Sequence, residues 1–125
     1  MTLSDPLLFI KKAKEDIVVL EKLVADTEVS DASWGFHAQQ ALEKLLKSLL
    51  SRSQVLFSKS HDLNYLIDLI PKEYTDLVAD VEEECSELNP FGVAGRCDDL
   101  IDCPLNRAVV LSKIKDLCGK VEVLK

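Results

Sequence analysis

The chain has 125 residues and a mass of 13.9 kDa, which suits one domain, because two domains of half that size would each have difficulty burying a core. With 47% apolar residues, 30% charged residues and a net charge of −7, the composition excludes a disordered chain and a basic protein that coats nucleic acid. Four glycines, four prolines and 6% aromatic residues leave few turn positions, which disfavours a many-stranded β-sandwich.

The first residues of the chain do not have the pattern of a targeting or membrane segment. In residues 1–14 a short apolar patch is followed by lysines, which is the reverse of a secretory signal. The longest uninterrupted apolar run in the chain is four residues, against the roughly 18 that a membrane span needs. We therefore expect a soluble, cytoplasmic protein.

The first two helices are predicted from capping residues followed by apolar residues at steps of three and four. Asp5 and Pro6 suit a helix start, and the apolar repeat then predicts a first helix from about Asp5 to Asp26. Ser30 offers a second cap, and the next repeat predicts a second helix that ends near Ser51.

Three further helices are predicted in the second half of the chain. Ser60 is placed to cap a short third helix over residues 61–70, and a fourth helix follows over residues 71–88. Residues 91–104 have no periodicity and are interpreted as a loop, and a last helix occupies residues 105–124. The predicted fold is all-α, an up-and-down antiparallel bundle of four long helices and one short one. The inner face of the last helix is predicted to comprise Leu105, Ala108, Leu111, Ile114, Leu117, Val121 and Leu124.

On a helical wheel the second helix divides into two faces. One broad half is apolar and contains Trp34, Ala38, Ala41, Leu42, Leu45, Leu46 and Leu49. This width indicates contact with more than one neighbour, so we expect this helix to be central. A separate polar arc contains His37, Gln40, Lys44, Lys47 and Ser51. The polar arc is either the solvated edge of the helix or a binding face.

Two segments of the chain carry a resemblance to a known family. Residues 36–50 read FHAQQALEKLLKSLL, and after nine residues SHDLNYLIDLI follows at residues 60–70. These segments, with the order of the predicted helices, resemble the signature of the HEPN family of small helical domains. Arg96, which follows a glycine-containing segment, resembles the arginine that the family has in the loop before its last helix.

The resemblance implies a single HEPN domain over residues 1–125, folded as a five-helix bundle that usually forms a homodimer. HEPN domains occur alone or beside a minimal nucleotidyltransferase in toxin–antitoxin pairs of bacteria and archaea, and many are proposed to bind nucleotides. We therefore expect no cofactor, and a site that binds a nucleotide or a nucleotidyltransferase partner. The residues expected to form it are His37, Gln40, Lys44, Lys47 and Arg96.

A second branch of the family consists of metal-independent ribonucleases, in which an arginine is followed by four to six residues and a histidine near the start of the last helix. In this chain His37 and His61 both precede Arg96 and Arg107, so no histidine stands downstream to transfer a proton. We therefore predict a non-catalytic module without catalytic residues. A ribonuclease with a degenerate site and a purely structural dimeric bundle remain the alternatives.

Charge and cysteine spacing bear on other ligand classes. Residues 1–61, 62–103 and 104–125 carry net charges of 0, −10 and +3, and the acidic middle would repel the phosphate backbone of a duplex. The four cysteines lack the spacing of zinc or redox sites. The acidic residues between Cys97 and Cys103 are interpreted as a solvated loop and not as a metal site.

Overall fold

The computed structural model describes residues 5–92 and 105–124, and every regular element within these ranges is helical. The predicted all-α bundle is therefore confirmed. Most of the predicted loop, including Arg96 and the acidic residues beside Cys97 and Cys103, lies outside the described residues. The α-helices are α1 (Pro6–Leu23), α2 (Asp31–Arg52), α3 (Leu63–Asp68), α4 (Thr75–Val78), α5 (Glu82–Leu88) and α6 (Arg107–Glu122). Three 3₁₀ segments are Lys72–Tyr74, Ala79–Val81 and Asn89–Gly92.

The first two helices start at the predicted caps. The carboxylate of Asp5 accepts a hydrogen bond from the backbone N–H of Leu7 at 2.9 Å, and the hydroxyl of Ser30 accepts one from that of Ser33 at 3.1 Å. Each contact satisfies one of the N–H groups that a helix start leaves without an intrahelical partner. α1 ends at Leu23, three residues before the predicted end.

The second helix is central, as predicted. It packs against α1, α3, α5 and α6, and its apolar half is fully enclosed. The indole Nε1 of Trp34 donates a hydrogen bond to the carbonyl of Leu20 at 3.1 Å, which joins the start of α2 to the end of α1. The ring of Phe9, in the first turn of α1, lies 6.5 Å from that of Phe57, which follows the end of α2, so α1 and α2 run antiparallel.

The predicted fourth helix is a succession of short helical segments between Lys72 and Gly92 and not one continuous α-helix. The backbone at Tyr74, Val78 and Val81 departs from α geometry toward ψ near 0°, and each of these residues stands where one segment gives way to the next. β-Branched and aromatic residues lose side-chain freedom in a helix, which weakens the preference for continuous α geometry there. The valines point into the core, so packing favours the tighter turns.

The predicted starts of the third and last helices were wrong by a few residues. Asp62, and not Ser60, caps α3, because its carboxylate accepts from the N–H groups of Asn64 and Tyr65 at 3.0 and 3.3 Å. The last helix begins at Arg107, since the side chain of Asn106 accepts from the N–H of Val109 at 3.2 Å and caps it there.

The inner face of α6 also differs from the predicted one. Ala108 is exposed, whereas Val110 and Cys118, which were not predicted, are buried with Ile114, Leu117 and Val121. None of the helices in the described ranges is long and apolar enough to cross a membrane.

Candidate functional site

Both lysines in the polar arc of α2 are paired with carboxylates, so the arc is not an array of free cations. It lies between α1 on one side and the segment before α3 on the other, because its side chains contact residues of both. Ser51, which the wheel placed in the arc, is buried, and its hydroxyl has no partner in the described part of the chain. Arg96 lies outside the described residues, so the arc is described without it.

At the α1 side, two arc residues converge on Asp16. The ammonium of Lys44 donates to Asp16 Oδ2 at 2.6 Å, and His37 Nδ1 lies 3.5 Å from Asp16 Oδ1. The histidine contact lacks hydrogen-bond geometry, and within the described residues Nδ1 of His37 is buried without a partner. The Asp16 side chain is only 14% exposed, which strengthens its attraction to Lys44 compared with that of a surface pair.

At the other side, the arc meets a buried carboxylate that the wheel did not single out. Glu43 is buried in α2, and its Oε2 accepts from the ammonium of Lys47 at 3.0 Å. Its Oε1 lies 2.8 Å from His61 Nδ1 and 3.3 Å from Gln39 Nε2. Both carboxylate oxygens are thus satisfied, as a buried charge requires.

Gln39 connects this carboxylate to the backbone and to the arc. It is fully buried, and its Nε2 also donates to the carbonyl of His61 at 2.7 Å. Its Oε1 accepts from Gln40 Nε2 at 2.7 Å. The segment before α3 is therefore fixed to α2 through both the ring and the backbone of His61. We name Gln39, Glu43, Lys47 and His61 the Glu43 cluster.

A cleft of about 580 Å³ lies next to the Glu43 cluster. One side of it is built by Asn89, whose Oδ1 accepts from the N–H of Leu63 and whose Nδ2 donates to Asp62, each at 2.8 Å. The hydrogen bond from Asn89, with those from two backbone N–H groups, holds the pKa of the Asp62 carboxyl below its ordinary value. The cleft is lined by Lys59, Ser60, His61, Asp62, Asn64, Ser86, Asn89 and Pro90.

Sequence reasoning missed Asp16, Gln39 and Glu43 as members of the polar network. The spacing of Glu43 and Lys47 by four residues is that of a stabilising helix pair and was visible in the sequence. The contacts of Asp16 with Lys44 and of Glu43 with His61 join residues that are 28 and 18 positions apart. No local pattern predicts contacts at that range.

Cys85 and Cys118, the two cysteines among the described residues, are buried free thiols. Burial raises the pKa of the Cys85 thiol to about 12 and that of the Cys118 thiol to about 11, with nearby glutamates adding to the shift. Both are therefore protonated, unreactive thiols at neutral pH. Among residues 5–92 and 105–124, no three His, Cys, Asp or Glu side chains are grouped so that they could hold a metal ion.

Comparison with known protein families gives a match over most of this bundle. A family model described as the HEPN domain matches residues 7–115, from the first turn of α1 into α6. The matched range contains both segments on which the resemblance rested. No match was found among curated proteins or among solved structures. Because the family model covers most of the 125 residues, the chain belongs to the HEPN family.

Proposed function

We propose that this chain is a non-catalytic HEPN module that binds a nucleotidyltransferase partner through the polar arc of α2, as one half of a toxin–antitoxin pair. The observation that carries the non-catalytic part of the proposal is the absence of any histidine after Arg96 and Arg107, because the ribonuclease branch needs one there for proton transfer. Arg107 supports it too, since its guanidinium is occupied by Asp31 and by three backbone carbonyls of the α1–α2 connection.

The pairing of the arc favours a protein partner over a nucleotide at this place. Lys44 and Lys47 each face a carboxylate of the same chain, so their charge is largely compensated before any ligand arrives. A phosphate would have to compete with Asp16 and Glu43 for them. A protein surface, by contrast, can complement a fixed set of donors and acceptors of both signs. A nucleotide bound at the arc with Arg96 remains the second candidate.

The double variant Lys44→Gln/Lys47→Gln tests this face. We expect it to weaken binding to the nucleotidyltransferase encoded beside this gene by about 2 kcal/mol, or roughly 30-fold in Kd, which is the scale of lost charge-assisted hydrogen bonds. The measurement is a pull-down followed by calorimetry with the neighbouring gene product. Lys115→Gln/Lys120→Gln is the matched control, because these lysines of α6 also pair with acids but lie away from α2.

The melting temperature of both double variants must accompany the binding data. Lys47 is only 12% exposed and pairs with the buried Glu43, so its loss should also cost about 1 kcal/mol of stability. The variant His37→Gln changes the same face without touching the Glu43 pairs and should reproduce part of the binding loss. Unchanged binding in both variants, with wild-type binding intact, would place the partner on another face.

We expect no ribonuclease activity. The purified protein, free of metal, is incubated with single-stranded and structured RNA and the products are resolved on a gel. The physical reason is the missing general acid–base group downstream of the arginines. RNA cleavage that co-purifies with the protein and disappears in His61→Ala would contradict the proposal and favour the ribonuclease alternative.

We also expect a symmetric homodimer. Exposed apolar side chains remain on α1 and α6 after the bundle has formed, among them Leu7 at 71%, Val18 at 50% and Val109 at 45% exposure. Apolar surface of this kind on a small bundle is commonly covered by a second subunit. Sedimentation velocity at tens of micromolar should give the mass of two chains. A monomer at that concentration would be at odds with the homodimer.

A further inference from the structure

His61 combines an exposed ring with a buried anchor. Its side chain is 67% exposed, yet its Nδ1 lies 2.8 Å from a carboxylate of Glu43 that is only 4% exposed. Gln39 holds the backbone carbonyl of the same residue at 2.7 Å, and Lys47 holds the other oxygen of Glu43. Three side chains of the central helix thus orient one imidazole that faces solvent. The hydrogen bond from Gln39 to the His61 carbonyl already fixes the segment before α3 to α2, so the contact with Glu43 additionally orients the ring.

The anchor fixes where the proton of the neutral ring lies. A carboxylate accepts hydrogen bonds, so Glu43 selects the form of His61 with the proton on Nδ1. The lone pair is then on Nε2, which has no hydrogen-bond partner among the described residues. The neutral ring of His61, held in this orientation, therefore presents Nε2 as a hydrogen-bond acceptor to a ligand in the adjacent cleft.

His61 lines the 580 Å³ cleft, whose volume is in the range of small-molecule sites. Two of the other lining residues, Asp62 and Asn89, are occupied by hydrogen bonds with each other and with backbone N–H groups. The groups left for a ligand are the ammonium of Lys59, which forms no ion pair within the described part of the chain, and polar side chains on both walls. These side chains are Ser60, His61, Asn64 and Ser86. Ser60 Oγ already accepts from the N–H of Asp62 at 3.1 Å, and Ser86 Oγ donates to Asn64 Oδ1 at 3.4 Å. The Ser60 hydroxyl can still donate, and the Asn64 amide group and the Ser86 oxygen are still open to a ligand.

We propose that this cleft binds a monophosphorylated sugar, with a sugar hydroxyl donating to His61 Nε2 and the phosphate facing Lys59. A ligand with hydroxyls and one anionic group matches an acceptor, neutral polar groups and a single cation. The described lining of the cleft holds one lysine, Lys59, and one acid, Asp62, so it offers a single cation, which suits one phosphate and not a polyanion such as RNA. The cleft and the polar arc share the Glu43 cluster, because Glu43 contacts both Lys47 of the arc and His61 of the cleft. Lys59 lines the cleft and does not belong to the arc, so its variant tests this site apart from the protein partner.

The chain offers an internal control, because it has only two histidines. Ribose 5-phosphate is titrated into the intact ¹⁵N-labelled protein while the ring nitrogens of both histidines are followed by NMR. We expect a saturable shift of the His61 Nε2 resonance at millimolar ligand and no shift of His37. Adenosine 5′-monophosphate is titrated in parallel, and the tighter of the two ligands identifies the source of the sugar phosphate.

Variants separate the roles of the groups. Lys59→Gln should weaken binding at least fivefold, whereas Lys72→Gln, a lysine that does not line the cleft, should leave it unchanged. Glu43 is a positioning residue, so Glu43→Gln should change the ratio of the two ring tautomers of His61 in the NMR spectrum as well as weaken binding. A merely structural glutamate would not change that ratio.

Three results would overturn the inference. The first is no shift of His61 at saturating concentrations of either ligand, with the folded spectrum intact. The second is an equal shift of His37. The third is an identical shift with inorganic phosphate alone, which would indicate an anion contact without recognition of the sugar. The pull-down with the neighbouring gene product is read separately, so failure of the partner proposal leaves this test interpretable.

Discussion

Replacing Arg107 with alanine is expected to lower the free energy of unfolding by about 3 kcal/mol, because one side chain makes an ion pair and hydrogen bonds to three carbonyls, two of which have no other partner in the described part of the chain. Its Nε donates to Asp31 at 2.8 Å, and its Nη1 donates to the carbonyls of Leu23 and Asp26 at 3.0 and 3.1 Å. Nη2 donates to the carbonyl of Val29. The carbonyl of Leu23, at the end of α1, also accepts from the N–H of Asp26 at 3.1 Å. Those of Asp26 and Val29 lie in the connection to α2, where Arg107 is their donor.

The guanidinium also lies 5.8 Å from the ring of Trp34, which is buried at the start of α2. Arg107 therefore joins the first turn of the last helix to both of the first two helices, across more than 70 residues of chain. The variant Arg107→Lys keeps the charge but has no planar fork, so we expect it to recover less than half of the lost stability.

Urea unfolding measures both variants, and a lower midpoint at an unchanged slope would show that stability itself has changed. Lys115→Ala is the matched control. Lys115 also links α6 to α1, through Glu21 at 3.3 Å, but its side chain is 52% exposed, so the expected loss is below about 1 kcal/mol. Equal losses of unfolding free energy for Arg107→Ala and Lys115→Ala would mean that the hydrogen bonds of the Arg107 guanidinium contribute little to stability.

The parts of the fold that sequence reasoning predicted are those governed by contacts within a few residues. Asp5 and Ser30 cap helices by accepting from N–H groups two and three positions ahead. Helix periodicity likewise depends on residues three and four apart. The same logic failed at Ser60, because Asp62 competes for the same helix start and gains a third donor from Asn89, which is 27 positions away.

The succession of short helical segments between Lys72 and Gly92 shows what apolar spacing alone cannot predict. Its apolar spacing predicts Leu77, Val78, Val81, Cys85 and Leu88 as inward-facing; the last four are buried, and Leu77 is only half-buried. The spacing did not predict that the backbone would alternate between α and 3₁₀ turns, because that follows from how the valines fit against neighbouring helices. Burial of Glu84 with Lys113 at 3.1 Å is likewise a property of the assembled bundle.

The candidate site was only half predictable for the same reason. The wheel showed which residues share the polar edge of α2, and four of them take part in the polar network. It could not show that Asp16 and Glu43 compensate the lysines. It also could not show that His61, which stands before α3, is anchored on α2. These contacts decide whether the edge attracts an anion or presents a balanced surface.

The second large effect is expected at Gly35, where a single methyl group would collide with the ring of Phe91. A Cβ built on Gly35 would overlap Phe91 Cδ1 and lie 2.6 Å from Cε1, well inside van der Waals contact. Gly35 is buried in α2, and Phe91 is 7% exposed in the 3₁₀ segment Asn89–Gly92. The contact between these two residues therefore packs the 3₁₀ segment Asn89–Gly92 directly against α2.

Gly35→Ala should lower the free energy of unfolding by about 2 kcal/mol, since overpacking and displacement of the ring outweigh the gain of about 1 kcal/mol that alanine brings to a helix interior. Gly119→Ala is the matched control. Gly119 is also in the interior of a helix, but no atom lies within 4 Å of its added Cβ, so we expect stabilisation by up to about 1 kcal/mol. The two substitutions thus differ in sign for a reason that lies only in their surroundings.

A double-mutant cycle measures the energetic coupling between Gly35→Ala and the ring of Phe91. Phe91→Ala alone should cost about 3 kcal/mol through the cavity it leaves, and in that background Gly35→Ala should change from destabilising to neutral or stabilising, because the ring is no longer there to be displaced. Urea midpoints of the four proteins give the coupling energy directly. If Gly35→Ala costs the same with and without the ring, the close approach of Phe91 to α2 is not what excludes a side chain at this position.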